Sequence, residues 1–197
     1  MKSKIHPSAK LASTARILGD VCIGKNTVIH DFVTIYPAVI IEDSVEIFEG
    51  AVIGKPPKGA KAVSRKVNSE QKTTRIGREC VISPHAVIYT DVIIGEGTLI
   101  GDGASIREQC RIGKKCLLGR NVTLNYNTHV GDDTKIMDQT FLCGSMKIGS
   151  HVFISDLVST SNDNTMGTEG YDEQRIKGPT IEEYAKIGAG ANILPAV

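Results

Sequence analysis

The chain has 197 residues, the length of one domain or two small ones; 41% of them are hydrophobic and 23% charged, the balance of an ordinary soluble globular protein. A formal net charge of +1 gives no electrostatic reason for nucleic acid or an anionic membrane to be a main partner. No apolar run reaches the length of a membrane span or a secretory leader, and five cysteines without paired spacing fit a reducing compartment, so the expected location is cytoplasmic.

From the N-terminus an aliphatic residue recurs at every sixth position: Ile5, Leu11, Ile17, and on through Ile23, Ile29, Ile35, Ile41 and Ile47 to Ile53. The pattern breaks in the stretch KPPKGAKAVSRKVNSEQKTTR, where an insertion at about 59–75 sits in a segment with seven Lys or Arg side chains and one acid, Glu70. It resumes at Ile76 and holds through Ile106, Leu124 and Leu142 to Ile154. A second insertion at about 161–180 follows, and the period returns at Ile181, Ile187 and Ile193. The chain then stops at Val197, in mid-unit.

A period of six matches neither the 3.6 of a helix nor the 2 of a long alternating strand. It predicts an all-β prism wound with three short strands per turn, eighteen residues per coil, as a single domain over 1–197. The recurring residues, here called leaders, point inward and stack on those of neighbouring coils. Four residues after nearly every leader the side chain is small or thin (Ala51, Thr98, Val122, Thr128), with Pro57 and Met146 the exceptions, and Cys80, Cys110 and Cys116 fall at this position as core residues. Gly directly after many leaders, as at Gly95 and Gly113, is expected to serve a tight corner. An aromatic content of 5% with no Trp suits so thin a core.

With the faces led by Ile5, Leu11 and Ile17 numbered first, second and third, both insertions leave after a third-face unit. They therefore emerge from one edge, where loops free of the repeat make natural walls for a site. Corners on that edge are also unusual. After Ile106, Leu124, Leu142 and Thr160 they read Arg107-Glu108-Gln109, Asn125-Tyr126-Asn127, Cys143-Gly144-Ser145 and Ser161-Asn162-Asp163. Eighteen-residue spacing stacks Glu108, Tyr126, Gly144 and Asn162 in a column. First-face corners are plain by contrast, as in Gly113-Lys114-Lys115 and Gly131-Asp132-Asp133.

The six-residue period resembles that of the hexapeptide-repeat acyltransferases over nearly the whole chain, and the resemblance implies a left-handed parallel β-helix; the general rule for parallel crossovers would give the opposite hand. The acyltransferases of lipid A synthesis and the bacillosamine-type sugar N-acetyltransferases place a catalytic His two residues after a leader. Eighteen residues later, a Gly donates its N–H to the thioester oxygen. The matching positions here are Tyr126 and Gly144: the Gly agrees and the His does not. The segment LVSTSNDN also resembles the Thr-Asn-Asp segment of the 3-amino-uronate N-acetyltransferases.

These features imply an acetyl-CoA-dependent N-acyltransferase acting on an amino group of a nucleotide-linked sugar. An alcohol acceptor needs a base to attack a thioester, whereas a neutral amine already carries its lone pair. The expected catalytic residues are Tyr126, Gly144, Asn127, Asn162 and, as the nearest imidazole, His129. Arg107, Glu108, Asn125 and Asp163 are expected to bind substrate. The segment IGAGANILP resembles the coils along which the family lays the pantetheine arm, so Gly188, Ala189, Gly190 and Ala191 are expected to bind the coenzyme. Relatives usually continue for further coils beyond this point, and they assemble as homotrimers with sites between subunits. Alternatives from the sequence are a sugar O-acetyltransferase with His129 or His30 as base, and a non-catalytic β-helix scaffold. A zinc site of the carbonic-anhydrase kind needs a close His pair, which the spacing of His6, His30, His85, His129 and His151 does not offer, so no metal is expected.

Overall fold

The computed structural model describes residues 4–197 and contains strands, turns and loops. Among the described residues twenty-seven short strands, most of two residues, form three parallel sheets of nine strands each. Each strand pairs with the strand one coil on: Ile5 with Ile23, Ile76 with Ile94, Leu124 with Leu142. The result is a left-handed β-helix of nine coils. At about 4.8 Å per coil it extends roughly 40 Å. Among the described residues no helix is long and apolar enough to cross a membrane.

The leaders form the core. Ile29, Ile35, Ile53, Ile76, Ile106, Leu124 and Leu142 are essentially without solvent contact. One unit led by Thr160, on the Ser159–Thr160 strand, continues the third sheet where the aliphatic pattern lapses. The thin positions close the gaps between leaders and also satisfy the corners. The hydroxyls of Thr98, Thr128, Thr134 and Thr140 each donate to a carbonyl fifteen residues on, at 2.8–3.0 Å. The thiols of Cys80, Cys110 and Cys116 donate in the same way at 3.0–3.1 Å. Burial pushes these thiols up to about 11, 12 and 11. Among the described residues no buried side-chain nitrogen or oxygen lacks a partner.

The corners correct the expectation for glycine. The left-handed conformation falls three residues after the leader, mostly on non-glycine residues such as Asn121 (φ 54), Asn127 (φ 54) and Asp133 (φ 55). The glycines directly after leaders answer to stacking instead. A Cβ on Gly95 would lie 2.5 Å from the carbonyl carbon of Gly113, and one on Gly113 would lie 2.7 Å from the amide nitrogen of Asp132. Coils 4.8 Å apart leave no room for a side chain there.

Between the Val52–Lys55 and Thr74–Ile76 strands, and again between the Ser159–Thr160 and Thr180–Ile181 strands, the chain leaves the prism. Both excursions run from the third sheet to the first. The two loops share one edge.

Candidate active site

The strands before the unusual corners are in direct register, Ser105 with Thr123, Thr123 with Phe141 and Phe141 with Ser159. Glu108, Tyr126, Gly144 and Asn162 therefore follow one another on successive coils. The Tyr126 ring lies over Gly144: a Cβ on that glycine would be 2.5 Å from the ring carbon bearing the hydroxyl. Asn162 donates from Nδ2 to the Gly144 carbonyl at 3.1 Å. The Gly144 N–H has no acceptor among the described residues. Elsewhere the same amide is often capped: those of Lys114 and Arg120 donate at 2.7 and 2.8 Å to the carboxylates of Asp132 and Asp138 on the next coil.

The loops close over this column. Arg65 of the first places its guanidinium 3.9 Å from the centroid of the Tyr126 ring and pairs with the Glu108 carboxylate. Arg107 donates from Nε to the other Glu108 oxygen at 2.9 Å. Glu108 is only 6% exposed. Burial by itself would raise its pKa, but its own amide and the two guanidinium groups outweigh burial and hold the carboxyl below its ordinary range. From the second loop, Tyr171 lines the same two cavities as Tyr126. Burial first, and then the neighbouring Tyr126 hydroxyl, pushes the Tyr171 phenol above its ordinary value.

Around these contacts lie three adjoining cavities of about 180, 360 and 220 Å³. Arg65 and Glu173 line the first two, and Tyr126 and Tyr171 line the second and third. Together they form one cleft of the size and mixed polarity that suits a small polar ligand.

Of the residues singled out in the sequence, Glu108, Tyr126, Asn127, Asn162 and Asp163 line this cleft, and Gly144 lies beneath Tyr126. Asn127 donates to the Ser145 hydroxyl at 3.3 Å. The Asp163 carboxylate is engaged within its own loop, accepting from the Thr165 hydroxyl at 2.7 Å and from the amides of Thr165 and Gly167 at 2.8 Å. Arg175 adds a pair at 2.7 Å. These partners, the Thr165 hydroxyl foremost, hold the carboxyl down to about 2. Arg107 lies over Tyr89, 4.8 Å from its centroid, while the Asn125 carbonyl receives the Cys110 thiol.

His129 is not brought into the cleft. It is exposed on the outer side of the first sheet, in register with Arg111 and Lys147. Burial, then those two cations, lowers its pKa. His30 is on the second face, stacked on Phe48 and 2.8 Å from Glu46. The Gly188–Ala191 corner follows a second-face leader, Ile187, in the last coil, so it occupies a different edge from the column. A Cβ on Gly188 or Gly190 would meet nothing within 4 Å. Among the described residues no group of three His, Cys, Asp or Glu is placed to hold a metal ion.

Sequence reasoning missed Arg65, Tyr171 and Glu173. All three are on loops with no period, and Arg65 is one of several cations in its segment. Gln109 and Ser145 also line the cleft; they sit beside the column and the same eighteen-residue spacing identifies them.

A family profile described as bacterial transferase hexapeptide (six repeats) matches residues 73–108 and 91–126. Over residues 73–126 the chain is therefore similar to that hexapeptide-repeat family. Solved structures similar to this chain include LpxA from Acinetobacter baumannii, at 21% identity and a TM-score of 0.54, over 79% of this chain and 66% of that one. They also include the UDP-N-acetylglucosamine O-acyltransferase LpxA from Moraxella catarrhalis, at 21% identity and a TM-score of 0.53, over 86% and 79%. At that identity the likeness is one of fold. This hexapeptide-repeat chain thus spans about two thirds to four fifths of the length of those two enzymes. No curated protein matches it in sequence.

Proposed function

We propose that the protein transfers an acetyl group from acetyl-CoA to an amino group of a nucleotide-linked sugar, working as a homotrimer in the cytoplasm. The observation that carries this reading is the cleft over Tyr126 and Gly144, walled by both loops and lined by no histidine among the described residues. In it, the amine lone pair attacks the thioester carbonyl carbon, and the carbonyl oxygen becomes an oxyanion. The uncommitted N–H of Gly144, steadied by the Asn162 bond to its carbonyl, is the donor for that oxygen. Collapse of the intermediate forms the amide and expels the coenzyme A thiolate. The proton leaves the nitrogen through Glu173 or water. No imidazole is needed to activate an amine, and positioning supplies much of the acceleration.

The homology-derived coenzyme segment Gly188–Ala191 is on another edge of the same prism, which favours a coenzyme that reaches the column from a neighbouring subunit. The test has two parts. Calorimetric titration with acetyl-CoA, with the oligomeric mass measured on the same sample, should give one saturable site per subunit of a trimer. Thiol release should then follow addition of an amino-sugar nucleotide and be absent with the corresponding hydroxyl sugar. Release with the hydroxyl sugar would replace N- by O-acylation, and absence of acetyl-CoA binding by a folded trimer would leave a scaffold.

A further inference from the structure

The edge that carries the cleft continues toward the N-terminal coils along the third sheet. Toward the N-terminal coils lies a separate cavity of about 360 Å³, lined by Tyr36, Lys55, Pro56, Pro57, Lys58 and Ser69. It is a built feature. Gln71 pins the first loop back onto the prism, its amide nitrogen Nε2 donating to the carbonyls of Pro37 at 2.9 Å and Gly54 at 3.0 Å. Thr90 bonds both the amide and the carbonyl of Lys72, at 2.8 and 2.7 Å.

The chemistry of its lining is specific: a half-buried tyrosine and two prolines beside two lysines. Neither lysine has a carboxylate partner among the described residues, whereas Lys72, Arg75 and Arg78 each have one. Between cavity and cleft stands Tyr89, with the Lys55 ammonium 5.3 Å from its centroid on the way in and the Arg107 guanidinium at 4.8 Å on the way to Glu108. From Tyr36 to Tyr126 is four coils, roughly 19 Å at ~4.8 Å per coil. That is comparable to an extended nucleoside diphosphate sugar, and the order of groups matches its parts: a flat apolar slot, then unpaired cations, then the cleft.

We propose that this cavity is a nucleoside diphosphate subsite, with the base against Tyr36 and the Pro56–Pro57 pair and the diphosphate on Lys55 and Lys58. The ligand then lies along the edge with its sugar toward Tyr126. The subsite rests on the nucleotide-sugar reading given above. Aromatic stacking of the base tolerates any of the common bases, and lysines are point-charge ligands for phosphate.

The test is titration of the full chain with UDP, dTDP, CDP, GDP and ADP in turn, and with acetyl-CoA as the check that each variant is folded. One or more diphosphates should bind saturably. Tyr36→Ala and the double change Lys55→Ala with Lys58→Ala should each weaken that binding at least tenfold, with acetyl-CoA affinity unchanged; Tyr36→Phe should restore it. Acetyl-CoA binding with no affinity for any of the five diphosphates overturns the subsite and leaves acetyl transfer standing. Diphosphate binding that is indifferent to both alterations overturns it as well. A wild-type chain that binds neither ligand overturns both readings.

Discussion

The edge between the third and first faces and the edge between the first and second are made of the same backbone. Both turn through the left-handed conformation at equivalent positions, Asn127 and Ser145 on one, Lys115 and Asp133 on the other. Their side chains do different work. On the plain edge Asp132 reaches back to cap the Lys114 amide on the coil before it. On the other, the equivalent places hold a glycine under a tyrosine, an asparagine turned to a carbonyl, and a glutamate held by arginines from two segments. Where capping is withdrawn, a backbone N–H is left for a ligand, and two loops cover the gap. A repeat fold makes such a site by declining, at one edge, the interactions it makes at the others.

Five experiments bear on that contrast. The largest effect is expected at Glu108, whose removal leaves Arg65 and Arg107 facing each other without their anion. Glu108→Ala should destabilise the protein by about 3 kcal/mol in denaturant unfolding, as breaking a buried pair does, and free the first loop to proteolysis. An unchanged midpoint would mean the ion pair does not hold the loop. Its sign with pH follows from the depressed carboxyl: the contribution is present above the ordinary carboxylate range and is lost as pH falls through the folded-state value.

Next come two glycines. For Gly144→Ala the three atoms nearest the new Cβ all belong to the Tyr126 ring, a side chain rather than backbone, so kcat/KM should fall about 100-fold, the scale of a disturbed oxyanion donor, with little loss of stability. Gly113→Ala meets backbone of the next coil, which cannot yield, so about 2 kcal/mol of stability should go while the specific activity of folded protein stays. The reverse pattern would break the distinction between the edges. A smaller change, about 1 kcal/mol, is expected for Asp132→Ala, which removes a corner cap of the kind found at helix starts, with activity intact. Smallest is a local effect at Asp163. Its carboxyl is held down to about 2, so the second loop should stay ordered above about pH 4, the ordinary carboxylate range, and loosen as pH falls from there toward 2. Hydrogen exchange at Thr165 and Gly167 reads this directly, and Asp163→Asn should loosen the same amides at neutral pH.

The coils, their faces and the shared edge of the two loops were legible because a six-residue period fixes every leader by counting. The column of Glu108, Tyr126, Gly144 and Asn162 followed from the same arithmetic. Counting stops at the loops. Nothing in KAVSRKVNSE distinguishes Arg65 from its neighbours, since its role comes from meeting Glu108 and Tyr126, which are 43 and 61 positions away. The same holds for Tyr171. Asp163 was singled out by its place in the stacked corners, and it lines the cleft; the four donors its carboxylate receives from its own loop were not visible from spacing. Gly after a leader was read as a bend, while the structure needs its missing Cβ for the spacing of coils. Residue type was visible in each case; the neighbour that gives it meaning was not.

The threonine and cysteine donors of the core carry a practical consequence. Because the thiols of Cys80, Cys110 and Cys116 are sealed and engaged with carbonyls, and burial likewise raises that of Cys143, they are poor nucleophiles toward alkylating reagents in the folded state. Cys22, half-exposed on the second coil, is the one thiol within reach. The native chain therefore offers a single chemical handle, far from the cleft, on which a fluorophore reports assembly and unfolding with no engineered cysteine.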